Sequence, residues 1–179
     1  MTIRYYISMG SNMGDKKAYL EEAIAKLYKE SKITFITQAA WIETKPWGNT
    51  EQDTFINGLC VVDSDLEPLA LLEILQRLER EAGRERKVKW GPRTLDLDII
   101  WAEECMEDSV LSRGRMENKT RCSDFRKPVY YKDERLEVPH AYFWDRFFVL
   151  EPLAEVYPSF VYKEVNIKDR LQELNSQAV

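Results

Sequence analysis

The chain has 179 residues and a formal net charge of −5 at pH 7. This length is typical of one domain whose core needs no structural metal or disulfide. The negative charge argues against general nucleic-acid binding, and charged residues interrupt every apolar run well short of a membrane span. The sequence therefore predicts a single domain over residues 1–179 that binds neither nucleic acid nor a membrane.

The cysteines and the first residues bear on where the protein works. Cys60, Cys105 and Cys122 form neither an even set nor a metal-ligand spacing. The segment Met1–Ile7 lacks the apolar core of a signal peptide. We therefore expect three free thiols and a cytoplasmic location.

Hydrophobic periodicity predicts strands and helices in alternation along most of the chain. A strand over Ile3–Met9 leads through a turn at Gly10–Asp15 into a helix. The apolar face of that helix carries Leu20, Ala23, Ile24 and Leu27. Two further strands are predicted over 33–43 and 56–62, with a loop containing glycine and proline over 44–53 between them.

Three more signals complete the predicted elements. Pro68 opens the next helix, because proline is tolerated in a first helical turn, and Gly83 follows that helix as a C-terminal cap. The apolar residues of this helix are Leu71, Leu72, Leu75, Leu78 and Ala82. A last helix is predicted from Asn166. Strands interleaved with helices predict an α/β or α+β sandwich.

The stretch Trp90–Ile100 places two carboxylates, Asp96 and Asp98, in an otherwise apolar strand pattern. Because side chains alternate along a strand, the two share one face about 7 Å apart. Carboxylates this close repel each other unless a cation lies between them, and oxygen-only ligands favour magnesium. An edge strand with two solvated aspartates is the alternative, and a bare Asp-x-Asp would favour it.

A cationic loop precedes that strand. Between Arg84 and Arg93 the chain holds five cations and one acid, and glycine and proline mark the segment as a loop. The planar guanidinium of arginine suits phosphate oxygens, so this loop beside two carboxylates indicates a metal-bound polyphosphate. Taken alone, the same loop would be interpreted as a solvated charged turn.

These residues resemble the 6-hydroxymethyl-7,8-dihydropterin pyrophosphokinase family, and the resemblance runs from about Ile3 to Pro158. Its blocks, in chain order, are Gly10–Asp15, Glu43–Gly48, Gln52–Asn57, Gly83–Ile100, Val138–His140 and Arg146–Leu153. The resemblance implies an α+β fold, mostly antiparallel, with a ferredoxin-like core in a three-layer α-β-α sandwich. It also implies transfer of pyrophosphate from the co-substrate ATP to the hydroxymethyl group of a dihydropterin in folate biosynthesis, with release of AMP.

The same resemblance implies roles for individual residues. Asp96 and Asp98 would hold two magnesium ions, and the catalytic set would be Arg84, Arg93, Asp96 and Asp98. The nucleotide would contact Glu79, Arg84, Arg86, Lys87, Trp90, Arg93, Ile99, Arg135, His140 and Arg146. The pterin would contact Thr44, Pro46, Trp47, Phe55, Asn57, Trp90 and Phe148. We expect His140, the only histidine, to donate a hydrogen bond to phosphate rather than to act as a general base.

A long polar stretch over about 103–134 departs from the resemblance, since most relatives cross here with a short hairpin. Three interpretations remain open: a solvated loop, an extra hairpin around Val129–Tyr131, or a segment that shields the nucleotide. We favour the solvated loop.

Two other functions share parts of the pattern. A metal-dependent nucleotide-sugar transferase also uses Asp-x-Asp, but it normally needs a larger nucleotide-binding domain. The other is a non-catalytic ferredoxin-like module that binds RNA. The negative net charge and the two aspartates argue against it, because both would repel a phosphate backbone. Neither explains all the blocks. We expect a monomer whose partners are ATP and a hydroxymethyl dihydropterin.

Overall fold

The computed structural model describes residues 1–45, 53–83, 93–105 and 126–177. The strands are β1 (Ile3–Ser11), β2 (Ile33–Gln38), β3 (Ile42–Thr44), β4 (Phe55–Ser64), β5 (Asp96–Cys105), β6 (Arg126–Pro128), β7 (Tyr131–Lys132), β8 (Glu137–Val138), β9 (Val161–Tyr162) and β10 (Val165–Asn166). The helices are α1 (Lys16–Lys29), α2 (Pro68–Glu81), α3 (Phe147–Val156) and α4 (Ile167–Gln177), with a 3₁₀ turn at Phe143–Asp145.

Within the described ranges, six strands form the main sheet, in the order β2-β4-β1-β5-β6, with β3 also paired to β4. The described pairings in this sheet are antiparallel. Strand β1 lies at the centre, because it pairs along its length with both β4 and β5. The fold is therefore α+β with a mostly antiparallel sheet, as the resemblance implied; the sequence pattern alone had left α/β and α+β open.

One face of the sheet is covered by α1 and α2. Alternate residues of β1, namely Ile3, Tyr5, Ile7 and Met9, point into this apolar cluster. The helices contribute Leu20, Ala23, Ile24, Leu27, Leu71, Leu72, Leu75 and Leu78. These helix faces are the ones that the periodicity predicted, and the C-terminal glycine of α2, Gly83, has the expected positive φ of 77°.

The opposite face is covered by α3 and α4. Tyr6, Leu59, Val61 and Trp101 of the sheet pack there against Val149, Leu150, Leu153 and Ile167. The sequence analysis assigned no helix to 147–156. This segment is short and apolar, and such a run does not distinguish a buried helix from a buried strand.

A β-bulge at Ile100 interrupts the alternation of side chains along β5. Trp101 pairs with Tyr6 and Ile99 pairs with Ile7, so Ile100 is the extra residue. Before the bulge, side chains alternate regularly: Leu97 and Ile99 are buried in the α1–α2 cluster. Asp96 and Asp98 therefore face the side of the sheet that α3 covers.

The segment predicted as one strand over 33–43 is instead two strands, β2 and β3. Between them the N–H of Ala39 donates to the carbonyl of Leu59 at 2.8 Å, and the N–H of Ala40 donates to the carboxylate of Glu155 on α3. The Trp41 ring packs against Gly58 so closely that a Cβ on Gly58 would stand 2.5 Å from the ring carbons. These distant partners interrupt the strand, and local propensity does not reveal them.

The prediction of three free thiols was wrong for one cysteine. Cys60 is free and buried, and burial raises the pKa of its thiol to about 12. Cys105 is disulfide-bonded, with a partner outside the described residues. The cysteines therefore no longer support a reducing compartment.

Both described ends of the polar stretch over 103–134 lie in regular structure. Glu103–Cys105 pair with β6, while β7 pairs with β8. The N–H of Val129 donates to the carbonyl of Ala102 at 2.9 Å. Tyr131 thus begins a short hairpin, β7–β8, whereas Val129 bonds to β5. None of the helices in the described ranges combines the length and the apolar character that crossing a bilayer requires.

Candidate active site

A single row of residues crosses the sheet at the end of β1. Gly10 pairs with Asn57 on one side and with Asp96 on the other, so the three residues present the same face. Adjacent strands lie about 4.8 Å apart, which places the backbones of Asn57 and Asp96 about 10 Å apart. A Cβ on Gly10 would stand 2.8 Å from the Asn57 Oδ1. The row therefore has side chains at both ends and a bare backbone between them.

The two aspartates of β5 lie in a crowded electrostatic environment. Arg93 forms an ion pair with Asp96. Loss of water around Asp98, together with the nearby charges of Asp96 and Glu79, raises the pKa of its carboxyl to about 7, and Arg93 and Arg146 oppose the rise. Carboxylates held this close favour a bound cation.

Glu79 connects α2 to this strand. Its side chain is only 4% exposed, and its Oε1 accepts a hydrogen bond of 2.8 Å from the N–H of Leu97, which lies between the aspartates. At this burial the carboxylate of Glu79 does not lie on the exposed surface of the helix. No sequence spacing indicates that α2 reaches the edge of β5 here.

His140 lies at the same open edge of β5. The main-chain N–H of His140 donates to the carbonyl of Ile100 at 3.0 Å. The imidazole Nδ1 accepts a hydrogen bond from the main-chain N–H of Tyr142 at 3.2 Å. Burial and the neighbouring Arg146 lower the pKa of the imidazole. His140 is therefore neutral at pH 7, and its proton lies on Nε2, which can donate to a ligand.

A cavity of about 320 Å³ opens beside these groups. It is lined by α2, by the edge of β5 and by the turn around 133–142, and its polar wall includes Gln76, Glu79, Asp98, Arg135 and His140. Ile99 contributes to the apolar wall. Arg135 is exposed and forms an ion pair of 3.6 Å with Glu73. The cavity thus brings four of the predicted nucleotide contacts (Glu79, Ile99, Arg135 and His140) together.

Arg146 enters the site from the start of α3. Its guanidinium lies 5.5 Å from the ring centroid of Tyr142 and 5.8 Å from that of Phe148. It also interacts electrostatically with Asp96 and Asp98. Because α3 was not predicted, the sequence could propose this cation only by resemblance.

Asn57 is the best-anchored of the predicted pterin contacts. It is 5% exposed, and its Nδ2 donates to Thr44 Oγ1 at 2.6 Å. Phe55 precedes it on the same face of β4, with a ring carbon 3.8 Å from the Cβ position of Gly10. Phe148 lies by Arg146 on the α3 side. The remaining predicted contacts, Pro46, Trp47, Arg84, Arg86, Lys87 and Trp90, lie outside the described residues.

The donor set suits magnesium better than a closed metal cage. Among the described residues, no three side chains of His, Cys, Asp or Glu come together as a metal site. Two carboxylates on one strand face leave the rest of a coordination sphere to water and to substrate phosphates, which is the usual arrangement for magnesium. Burial and the neighbouring acids disfavour the charged form of Asp98, and a bound cation would favour it.

Sequence reasoning missed several residues of this site. Asn12, Gln76 and Tyr142 were given no role, although Gln76 and Tyr142 line the cavity and Asn12 bonds to Arg93. Asn12 lies in one of the blocks that carried the resemblance, which was the one available signal. For Gln76 and Tyr142 the sequence offered none.

The sequence profile described as 7,8-dihydro-6-hydroxymethylpterin-pyrophosphokinase (HPPK) matches residues 6–158. The chain is 34% identical over 176 residues to the 2-amino-4-hydroxy-6-hydroxymethyldihydropteridine pyrophosphokinase of Methylorubrum extorquens, with 98% of this chain and 96% of that protein covered. A Bacillus subtilis protein of the same name is 37% identical over 151 residues, with 84% and 76% covered.

A solved structure shows a similar fold. Plasmodium falciparum HPPK-DHPS, crystallised with pteroate, superposes with a TM-score of 0.63 at 14% identity. The match covers 99% of this chain and 43% of that chain, so this chain spans less than half of the length of that solved protein.

Proposed function

The chain belongs to the 7,8-dihydro-6-hydroxymethylpterin-pyrophosphokinase family, and on that premise we propose that it is a magnesium-dependent pyrophosphokinase of folate biosynthesis. It transfers the terminal pyrophosphoryl group of ATP to the hydroxymethyl group of 6-hydroxymethyl-7,8-dihydropterin. The products are AMP and the pterin diphosphate.

One observation carries this proposal: Gly10 is in register with both Asn57 and Asp96. The amide that would bind the pterin and the carboxylate that would bind metal therefore share one face of the sheet. The separation of about 10 Å leaves room between them for the hydroxymethyl group and the phosphates. Because Gly10 has no side chain, no atom beyond the backbone intrudes from the strand between them.

Asp96 and Asp98 would hold two magnesium ions. When bound, magnesium neutralises phosphate oxygens and lowers the pKa of a coordinated hydroxyl group. The residues around the pair have separate tasks. Arg93 and Arg146 lie close enough to interact with both carboxylates, and their guanidinium groups would bind and orient phosphate oxygens.

His140 would donate its Nε2–H to a phosphate oxygen, since its Nδ1 already accepts from Tyr142. Glu79 would hold β5 in place through Leu97, and Arg135 and Ile99 would contact the nucleotide from the cavity wall. The predicted cations Arg84, Arg86 and Lys87 complete the proposed phosphate contacts. Phosphoryl transfer needs mainly positioning and charge neutralisation, which these groups supply.

For the pterin, we assign Asn57 to the polar edge of the ring and Phe55 and Phe148 to its faces. An asparagine side chain offers both a donor and an acceptor, and a planar heterocycle gains from stacking. The hydrogen bond from Asn57 Nδ2 to Thr44 Oγ1 fixes the orientation of the amide. Pro46, Trp47 and Trp90 are the further proposed contacts.

Several finer expectations accompany this function. The helices on the two faces of the sheet support a three-layer α-β-α sandwich with a ferredoxin-like core. We further propose one domain over 1–179 with a polar insertion at about 103–134, a monomeric state and a cytoplasmic location. No nucleic acid or membrane partner is proposed.

The deciding experiment incubates purified protein with ATP, magnesium and 6-hydroxymethyl-7,8-dihydropterin and separates AMP from ADP. We expect AMP to form only when pterin and magnesium are both present. ADP as the product would mean transfer of a single phosphoryl group and would contradict the proposal, as would AMP formation that continues without pterin.

A further inference from the structure

Asn12, the first residue after β1, is hydrogen-bonded to Arg93, which lies three residues before the start of β5. Asn12 is 2% exposed. Its main-chain N–H donates to the carbonyl of Arg93 at 3.0 Å, and its side-chain Oδ1 accepts from the N–H of Arg93 at 2.7 Å. In an antiparallel pair, two opposed residues exchange two main-chain hydrogen bonds. Here the side chain of Asn12 supplies the second acceptor.

The same turn also contacts the start of β4. The Nδ2 of Asn12 lies 3.5 Å from the carbonyl of Asp53, and Lys16 Nζ donates to the carbonyl of Thr54 at 2.8 Å. Thr54 Oγ1 in turn donates to Glu43 Oε1 at 2.6 Å. The turn after β1 thus holds the residues that lead into both β4 and β5.

We infer that Asn12 is a positioning residue of this active site: its amide fixes the backbone of Arg93 and thereby directs the Arg93 guanidinium to the carboxylate pair. The inference rests on the proposed function. Arg93 is three residues before Asp96 and is ion-paired with it. With both its N–H and its carbonyl held by Asn12, the Arg93 main chain has little freedom. Asn12 itself touches neither substrate.

The primary variant is Asn12→Ala, which removes the acceptor for the Arg93 N–H. A small displacement of a phosphate-binding group costs catalysis more than binding, so we expect kcat to fall by about tenfold or more, with both KM values changed by less than about threefold. Asn12→Asp keeps an oxygen for the Arg93 N–H but exchanges the side-chain NH2 group, which makes the long contact to Asp53, for a second oxygen. Its kcat should lie between those of Asn12→Ala and the wild type.

Asn166 provides a matched control. Its Oδ1 also accepts a backbone N–H, that of Lys168 at 2.9 Å, at the start of α4. Asn166→Ala removes the same kind of bond far along the chain from the proposed site. We expect its kcat to equal that of the wild type. An equal loss of kcat in Asn12→Ala and Asn166→Ala would overturn the inference, because lost stability alone would then explain both.

A second readout is independent of activity. Hydrogen exchange of the Arg93 amide, followed by NMR, should accelerate by about tenfold or more in Asn12→Ala and remain unchanged in Asn166→Ala. Unchanged exchange in Asn12→Ala, or a kcat for Asn12→Asp no better than that of Asn12→Ala, would refute the assignment. If Asn12→Ala does not fold, Asn12→Ser, whose shorter side chain withdraws the acceptor, is measured with the same expectations.

The two proposals fail in different ways. In one outcome, the wild-type protein forms no AMP while the Arg93 amide still exchanges faster in Asn12→Ala. This result would overturn the proposed reaction but not the positioning of Arg93 by Asn12. Wild-type turnover in Asn12→Ala would overturn the positioning role and keep the reaction.

Discussion

The carboxylate of Glu79 on α2 accepts a hydrogen bond of 2.8 Å from the backbone N–H of Leu97 on β5. Leu97 lies between Asp96 and Asp98, so this bond fixes the strand edge at the carboxylate pair. Among the described residues, no strand pairs with this edge of β5 next to Leu97, since β6 pairs with Glu103–Cys105. A buried acid thus takes the place of a strand partner and adds negative charge beside Asp98.

Replacing Glu79 separates these two effects. Glu79→Gln keeps an oxygen acceptor and removes the charge, so the pKa of Asp98 should fall because one of its causes of elevation is gone. Glu79→Ala leaves the buried Leu97 N–H unpaired and should cost about 1–3 kcal/mol of unfolding free energy. Carbon-13 NMR titration of Asp98 and urea denaturation measure the two changes. An unchanged Asp98 pKa in Glu79→Gln would contradict the electrostatic interpretation.

Replacing Asp98 tests the proposed metal site. Asp98→Asn preserves the shape of the side chain and should abolish most turnover, by orders of magnitude, because a neutral amide binds magnesium poorly. The fold should persist. Asp63→Asn is the control: Asp63 also lies on a strand of this sheet and pairs with Arg4 at 2.7 Å, far from the site. A folded Asp98→Asn protein with near wild-type kcat would exclude the role in metal binding.

The stability of the metal-free protein should depend on Asp98 and pH. The pKa of Asp98 is raised to about 7 in the folded protein, above the ordinary value near 4. Between these values the folded state binds more protons than the unfolded state, so stability falls as pH rises through this window. Asp98→Asn removes this contribution. Its unfolding free energy should exceed that of the wild type by more than about 1 kcal/mol at pH 8, and the two should converge near pH 4.

His140 gives a direct test of its own ionisation, because it is the only histidine in the chain. Burial and Arg146 lower its pKa, so its single set of imidazole proton signals should titrate below pH 6.5. With saturating magnesium, kcat should change little as the pH falls from about 7 through the titration of His140, because a protonated imidazole still donates from Nε2. A kcat that falls through this titration in the wild type but not in His140→Gln would identify a general base instead.

The bare backbone at Gly10 should matter for the pterin more than for ATP. In Gly10→Ala the new methyl group would stand 2.8 Å from Asn57 Oδ1, so the amide must shift from its bond with Thr44. We expect KM for the pterin to rise by about tenfold, with a smaller change for ATP. Gly58→Ala is the comparison, because its methyl group would meet Trp41 at 2.5 Å on the other face of the sheet. Equal effects of the two variants on pterin KM would refute this.

The sequence by itself determined the features that depend on near neighbours. Strand alternation put Asp96 and Asp98 on one face with Leu97 and Ile99 on the other, because a period of two is a local property of the backbone. The helical spacing of α1 and α2 likewise predicted their buried faces. The family could be recognised for a similar reason: its motifs are contiguous residues.

Only the tertiary structure decided which distant groups meet at the aspartates. Glu79 bonds to Leu97, Asn12 to Arg93, and His140 to Ile100. The members of these pairs are separated by 18, 81 and 40 residues, respectively, and no local period encodes such contacts. They depend on the order of strands in the sheet, on the bulge at Ile100 and on the helix that follows Arg146. Burial and the sum of nearby charges, which set the pKa of Asp98, exist only once the chain has folded.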